Sequence, residues 1–189
     1  LISEKITKAL PIASAIASDS SDQTLMILVT NNARIRGTGG VIDSIGVMKI
    51  SNHKMVSSHF YSAKQLQPKK LNLETVSPIL ITYTPGEANT LNNSTISVDL
   101  FDTQEKLRGN LSSILDGKRP TMTLLITITA MQNVLAAFPE LALKGSREIV
   151  TSENIQIKQR LYGSNPSFIP AVLDRMSETL GTINPNFLF

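Results

Sequence analysis

The stretch that most constrains this chain is Leu25-Met26-Ile27-Leu28-Val29-Thr30-Asn31-Asn32-Ala33-Arg34-Ile35-Arg36-Gly37-Thr38-Gly39-Gly40. Leu25–Val29 is an unbroken apolar run of strand length, which suits a strand covered on both faces. Asn31 and Asn32 end it, because their side chains bond nearby backbone and favour turns. In extended backbone Arg34 and Arg36 project to the same side. Gly37, Gly39 and Gly40 then permit positive φ or a close backbone approach. A buried strand that opens into amides, guanidiniums and glycines is a candidate anion or glycan site, with Asn31, Asn32, Arg34, Arg36, Thr38, Gly39 and Gly40 as its ligand-binding residues. The plainer alternative is a strand end, a glycine turn and two solvated arginines.

Composition bounds the function classes. At 189 residues the chain is long enough for one domain with a real core and short for two. It holds no cysteine, which excludes a disulfide framework and a Cys-based metal site. Its two histidines, His53 and His59, form no metal-spaced cluster with acids, so no metal or other cofactor is expected. A net charge of +3 and only nine Phe and Tyr argue against nucleic acid. No run reaches the roughly 18 apolar residues of a membrane span. Low charge with abundant Ser, Thr and Asn is a common texture in exported proteins. The start at Leu1 leads us to expect a fragment, with any membrane anchor outside it.

Residues 1–22 read as an N-terminal helix, Leu1–Ala17, and a linker, with Pro11 as a kink. Residues 23–182 read as one domain, and 183–189 as an apolar tail. Within the domain, Val41–Ile50 and Lys54–Tyr61 are strands of a hairpin turned at Ser51-Asn52-His53. Gly46 marks a bulge or a close approach. From Arg34 to Lys70 there are seven Lys or Arg and one acid, Asp43. That pattern fits a lysine-protected hairpin edge or a basic face for an anionic partner. Gln65–Pro78 is a loop, Ile79–Tyr83 a short strand and Pro85–Ser97 a long loop. The loop includes Asn92-Asn93-Ser94-Thr95, formally a glycosylation acceptor.

Asp99 is placed to cap a helix reaching Gly117. Thr121–Thr129 reads as a central strand. Thr129-x-x-Gln132 is a capping box for Ala130–Phe138, which Pro139 stops. Leu141–Leu143 and Glu148–Val150 flank Gly145 as a hairpin. Thr151 or Ser152 caps a helix to about Leu161, and Pro166 opens a last helix bearing Phe168, Ile169, Val172, Leu173, Met176 and Leu180 on one face. The fold class is α/β or α+β, a mixed sheet with a β-hairpin and flanking helices.

Asn31–Gly40 also carries a resemblance. It is similar to the hallmark of a bacterial cell-surface family known as domain of unknown function 4012, an apolar strand followed by Asn-Asn-Ala-Glu-(Leu/Val)-Arg-x-Thr-Gly-Gly. Arg34 stands where that family has Glu. Looser likeness extends from about Thr24 to Leu180, through Asn93–Asp99, Leu124–Ala137 and Val150–Asn154. The resemblance implies an extracytoplasmic envelope module, extracellular and membrane-anchored in its full-length form. It would bind a wall glycan, an anionic envelope lipid or a surface protein.

In its order of elements the chain also resembles the LytR-CpsA-Psr family of glycopolymer phosphotransferases. That likeness implies arginines clamping a pyrophosphate and an acid, Asp43 or Asp99, holding Mg²⁺. The Arg-Ser-Asp-Thr motif of those enzymes is absent here, although Asp43-Ser44 stands nearby. Gly37-x-Gly39-Gly40 fits neither dinucleotide nor P-loop spacing, and no nucleophile elbow exists for a hydrolase.

Overall fold

The structure, a computed structural model, describes residues 22–52, 54–66, 82, 90–112, 114–138, 140–162 and 165–182. The expected Leu1–Ala17 helix, His53, most of the Gln65–Pro78 loop and the tail from Ile183 lie outside the described residues. So does the Ile79–Tyr83 strand apart from Thr82, which is helical.

Four strands form one mixed sheet in the order β3-β2-β1-β4. Strand β1 is Gln23–Asn31, β2 Val41–Ser51, β3 Lys54–Ser62 and β4 Met122–Thr127. β1 runs antiparallel to β2 and parallel to β4, and β3 returns antiparallel on β2. A short 3₁₀ helix, Leu91–Ile96, precedes helix α1, Leu100–Asn110. After β4 come α2 (Ile128–Leu135), the small hairpin β5 (Leu141–Ala142) and β6 (Ile149–Val150), then α3 (Ile155–Leu161) and α4 (Phe168–Thr182). The class is therefore a mixed α/β fold, with helices beside a four-stranded sheet.

The apolar run of β1 explains this layering. Side chains alternate across a strand. Leu25, Ile27 and Val29 enter one core with Met131, Leu135, Ile155, Val172 and Leu173. Met26 and Leu28 enter a second core with Ile42, Ile45, Leu91, Leu107 and Leu111. Each such side chain contributes about 1.5–3 kcal/mol through burial, so one strand supplies both faces of the molecule.

Several local expectations are corrected. Thr121–Thr129 reads as a central strand, yet among the described residues β4 pairs only with β1 and lies at the end of the sheet. Its β-branched residues serve a half-buried edge equally well. The helix from Asp99 ends at Asn110 rather than Gly117, because Gly109, Asn110 and Ser112 are weak helix formers. Leu111 and Leu115 are still buried, in the turns that follow. The cap of α2 is Thr127, whose hydroxyl accepts from the Ala130 amide at 3.0 Å, and not Thr129. Gly46 is a close approach: a Cβ there would lie 2.5 Å from the Phe60 ring. Of the expected Pro85–Ser97 loop, residues 85–89 lie outside the described residues, and the rest is not an open loop, since it holds the 3₁₀ helix Leu91–Ile96 with Leu91–Thr95 buried.

Candidate binding site

The residues singled out between Asn31 and Gly40 form the connection from β1 to β2. Asn31 folds its carboxamide oxygen onto the Ala33 amide at 3.0 Å, and the Arg34 amide donates to the Asn31 carbonyl at 3.1 Å. The Val41 amide returns to the Arg34 carbonyl at 3.1 Å. Asn32 reaches the Thr129 hydroxyl at 3.1 Å, tying the connection to α2.

The rest of the loop lies on the 3₁₀ helix. The Thr38 amide donates to the Thr95 carbonyl at 2.9 Å. The Thr38 hydroxyl donates to the Ser97 carbonyl and sits 3.1 Å from the Thr103 hydroxyl. The Thr95 hydroxyl donates to the Gly40 carbonyl at 2.5 Å, and the Asn92 amide to the Ile42 carbonyl at 2.9 Å. The close approach that the glycines permit is to the chain's own backbone. A Cβ on Gly37 would sit 2.3 Å from the Ile96 carbonyl oxygen, and one on Gly40 2.4 Å from that of Asn31. Gly39 and Gly40 also hold positive φ, at 94° and 139°.

Arg34 and Arg36 are both half-buried, while Ile35 between them is 84% exposed. The two guanidiniums nevertheless serve different partners. Arg36 donates through Nε to Asn93 Oδ1 at 2.9 Å, and through Nη1 to the Ile35 carbonyl at 2.7 Å. Arg34 lies within electrostatic reach of Asp43. The other described cations of the basic stretch are dispersed. Lys64 is beside Asp43, while Lys49 is paired with Asp116 at 2.5 Å at the far end of β2.

Asp43 owes its position to a β-bulge. Val29 pairs with Ser44 and Thr30 with Ile42, so Asp43 is the extra residue of β2. A bulge re-aims a side chain, and here the carboxylate meets Gln159 of α3, whose Nε2 donates to Oδ2 at 3.0 Å. Burial pushes the Asp43 carboxyl above its ordinary value. Bonds from Gln159 and Asn31 and the charges of Arg34 and Lys64 oppose that shift only in part. The second candidate acid, Asp99, is committed elsewhere. Its carboxylate caps α1 by accepting the Phe101 amide at 2.8 Å.

Asp43 opens into a recess of about 30 Å³, room for two or three water-sized groups. Ser62, Lys64, Asn92, Gln159 and Asn165 supply the rest of its polar lining. Tyr162, Pro166, Phe168 and Ile169 supply an apolar wall. The Tyr162 hydroxyl donates to Glu148 at 2.7 Å, and Glu148 is ion-paired with Lys158. The Lys158 ion pair, and then the tyrosine hydroxyl, hold Glu148 below its usual range. The Tyr162 ring packs on Phe168 with centroids 5.4 Å apart. Held at its hydroxyl by Glu148 and at its ring by Phe168, Tyr162 offers the recess a fixed side chain.

Asn92, Asn93 and Thr95 were not expected as site residues. Their signal was an amide-rich tetrapeptide between Leu91 and Ile96, whose apolar flanks mark burial. Asn92 and Asn93 are 6% and 2% exposed, which bars glycosylation of the folded chain. Among the described residues no group of three His, Asp or Glu converges to hold a metal ion.

A family model described as a protein of unknown function (DUF4012) matches residues 21–162, well over half of the chain. The match takes in the Asn31–Gly40 connection, the 3₁₀ helix, Asp43, Gln159 and Tyr162, and stops before the Phe168 wall. No curated protein matches the chain.

Proposed function

The chain belongs to the DUF4012 family, and from that premise we propose that it is an extracytoplasmic module of the cell envelope. It binds a wall glycan, an envelope lipid or a partner surface protein, and it does so without catalysing a reaction. It acts at the cell surface, with attachment supplied by a segment outside this one. Among the described residues no helix is long and apolar enough to cross a membrane.

The observation that carries this reading is the recess at Asp43. Its acid is bracketed by Arg34 and Lys64, and the remaining polar lining is uncharged hydroxyl and amide. Such a lining, beside an apolar wall, suits a ligand held by hydrogen bonds and contact more than one held by charge. Co-sedimentation with purified cell-wall fragments and with anionic lipid vesicles tests it. Retention of the chain on at least one surface, at physiological salt and in competition with excess albumin, is the expected result. Absence from both pellets, with no surface protein cross-linked in cells, removes the proposal.

A second reading has one observation in its favour, the juxtaposition of Arg34 and Asp43. In a LytR-CpsA-Psr-like phosphotransferase, Asp43 would hold Mg²⁺ and Arg34 would clamp a phosphate. A single carboxylate fits Mg²⁺ only where substrate phosphates and water complete the octahedron. Mg²⁺-dependent turnover of a polyprenyl-pyrophosphate-linked glycan, lost in both Asp43→Ala and Arg34→Ala, would establish this reading over the first.

A further inference from the structure

The recess is specific enough in size and lining to suggest which part of a ligand enters it. At about 30 Å³ it cannot take a whole sugar ring, only a substituent. Asp43, whose carboxylate can accept, shares the lining with Lys64 and Asn165, whose side chains can donate. A carboxylate has about four acceptor positions, and Gln159 and Asn31 take two of those on Asp43. The recess also has an apolar side, formed by Phe168, Ile169 and Pro166, with the Tyr162 ring fixed beside them. A hydroxymethyl group would leave the apolar wall uncovered. A phosphate would be brought against the Asp43 carboxylate at the cost of desolvating both charges.

Building on the envelope-binding reading above, we infer that the recess is a subsite for the acetamido arm of an N-acetylated amino sugar. The arm's N–H donates to the Asp43 carboxylate, its carbonyl accepts from Lys64 or Asn165, and its methyl group rests on Phe168, Ile169 and Pro166. The sugar ring stays outside against Tyr162. One donor, one acceptor and one methyl group then meet an acceptor, a donor and an apolar wall. The connection from β1 to β2 is a supporting part. By stitching β2 to the 3₁₀ helix, it holds the bulge that aims Asp43.

The test is a nitrogen-15 NMR titration of the full chain with N-acetylglucosamine, and in parallel with glucose and with inorganic phosphate. N-acetylglucosamine is expected to shift the side-chain amides of Gln159, Asn92 and Asn165 saturably, at about millimolar concentration for so small a ligand. Glucose should bind at least about tenfold more weakly, and Asp43→Asn should weaken the N-acetylglucosamine shifts about tenfold, since it removes a charged acceptor. Equal shifts with glucose, shifts with phosphate alone, or no shifts with N-acetylglucosamine each overturn the inference. If the chain sediments with wall fragments while N-acetylglucosamine shifts nothing, the subsite falls and the envelope reading stands. If neither happens, both fall.

Discussion

Gly37 and Gly40 are required by what lies against them. A methyl group at either position would press on a carbonyl oxygen from 2.3 Å or 2.4 Å, and those oxygens belong to backbone that cannot rotate away. Gly40 adds a φ of 139° that side-chain-bearing residues rarely adopt. Overpacking of this kind costs about 1–3 kcal/mol. Gly37→Ala and Gly40→Ala are therefore each expected to lower stability by at least about 1 kcal/mol in urea titrations. Gly109 is the internal control, since nothing lies within 4 Å of a Cβ there. Gly109→Ala in α1 should raise stability by about 0.5–1 kcal/mol. Equal effects at all three positions would refute the close-approach argument. The arginines teach a related lesson. Both are half-buried about an exposed Ile35. Their partners, Asn93 for Arg36 and Asp43 for Arg34, come from segments distant in the chain or beyond a bulge, which spacing does not encode.

At the level of elements, strands and helices were legible wherever an apolar period ran long enough. β1, the β2–β3 hairpin, the hairpin about Gly145 and α4 all follow from their patterns. Boundaries were less legible, because neighbouring Thr residues compete for one cap. In Thr127-Ile128-Thr129 either hydroxyl could have capped α2. Parallel pairing of β4 with β1 continues to Thr127, so the helix begins directly after it and Thr127 becomes the cap. Thr127→Ala is expected to cost about 0.5–2 kcal/mol. Thr129→Ala, which loses only an exposed bond to Asn32, should stay within about 0.5 kcal/mol. Thermal unfolding of the two variants separates them, and a larger loss at Thr129 would reverse the assignment. The 3₁₀ helix was missed because its Asn, Ser and Thr content reads as loop. Asn92, Asn93 and Thr95 find partners on β2 and the β1–β2 connection, which no local rule supplies.

At the scale of the whole molecule, the bulge at Asp43 joins both ends of the argument. Strand β2, helix α3 and the start of α4 meet there, and a carboxylate is taken partly out of water among them. Its carboxyl is held above the ordinary 3.8, chiefly by burial. The folded chain thus keeps its Asp43 proton to higher pH than the unfolded chain. As pH rises from 3.8 through the folded value, the unfolded state releases its proton first and folding loses stability. Glu148 works in the opposite sense. Its lowered carboxyl supports the fold above its ordinary 4.5, and that support is lost as pH falls through the folded value. Asp43→Asn should flatten the loss contributed by Asp43 as pH rises above 3.8 and leave the acid limb due to Glu148 in place. Urea midpoints across that range measure the difference, and a variant that keeps the wild-type slope would exclude Asp43 as its source.

Local sequence was enough to establish a strand covered on both faces, the hairpin beside it, the mixed α/β class and the family hallmark at Asn31–Gly40. These depend on periodicity and local backbone preference, which neighbouring residues carry. Only the tertiary structure decided that the hallmark's hydrogen bonds go largely to the 3₁₀ helix and α2, and that Asp43 is turned by a bulge toward Gln159 and Tyr162. Those outcomes depend on register and on contacts between residues 55 to 116 positions apart. A one-residue shift in pairing would have sent the same carboxylate to another face of the sheet.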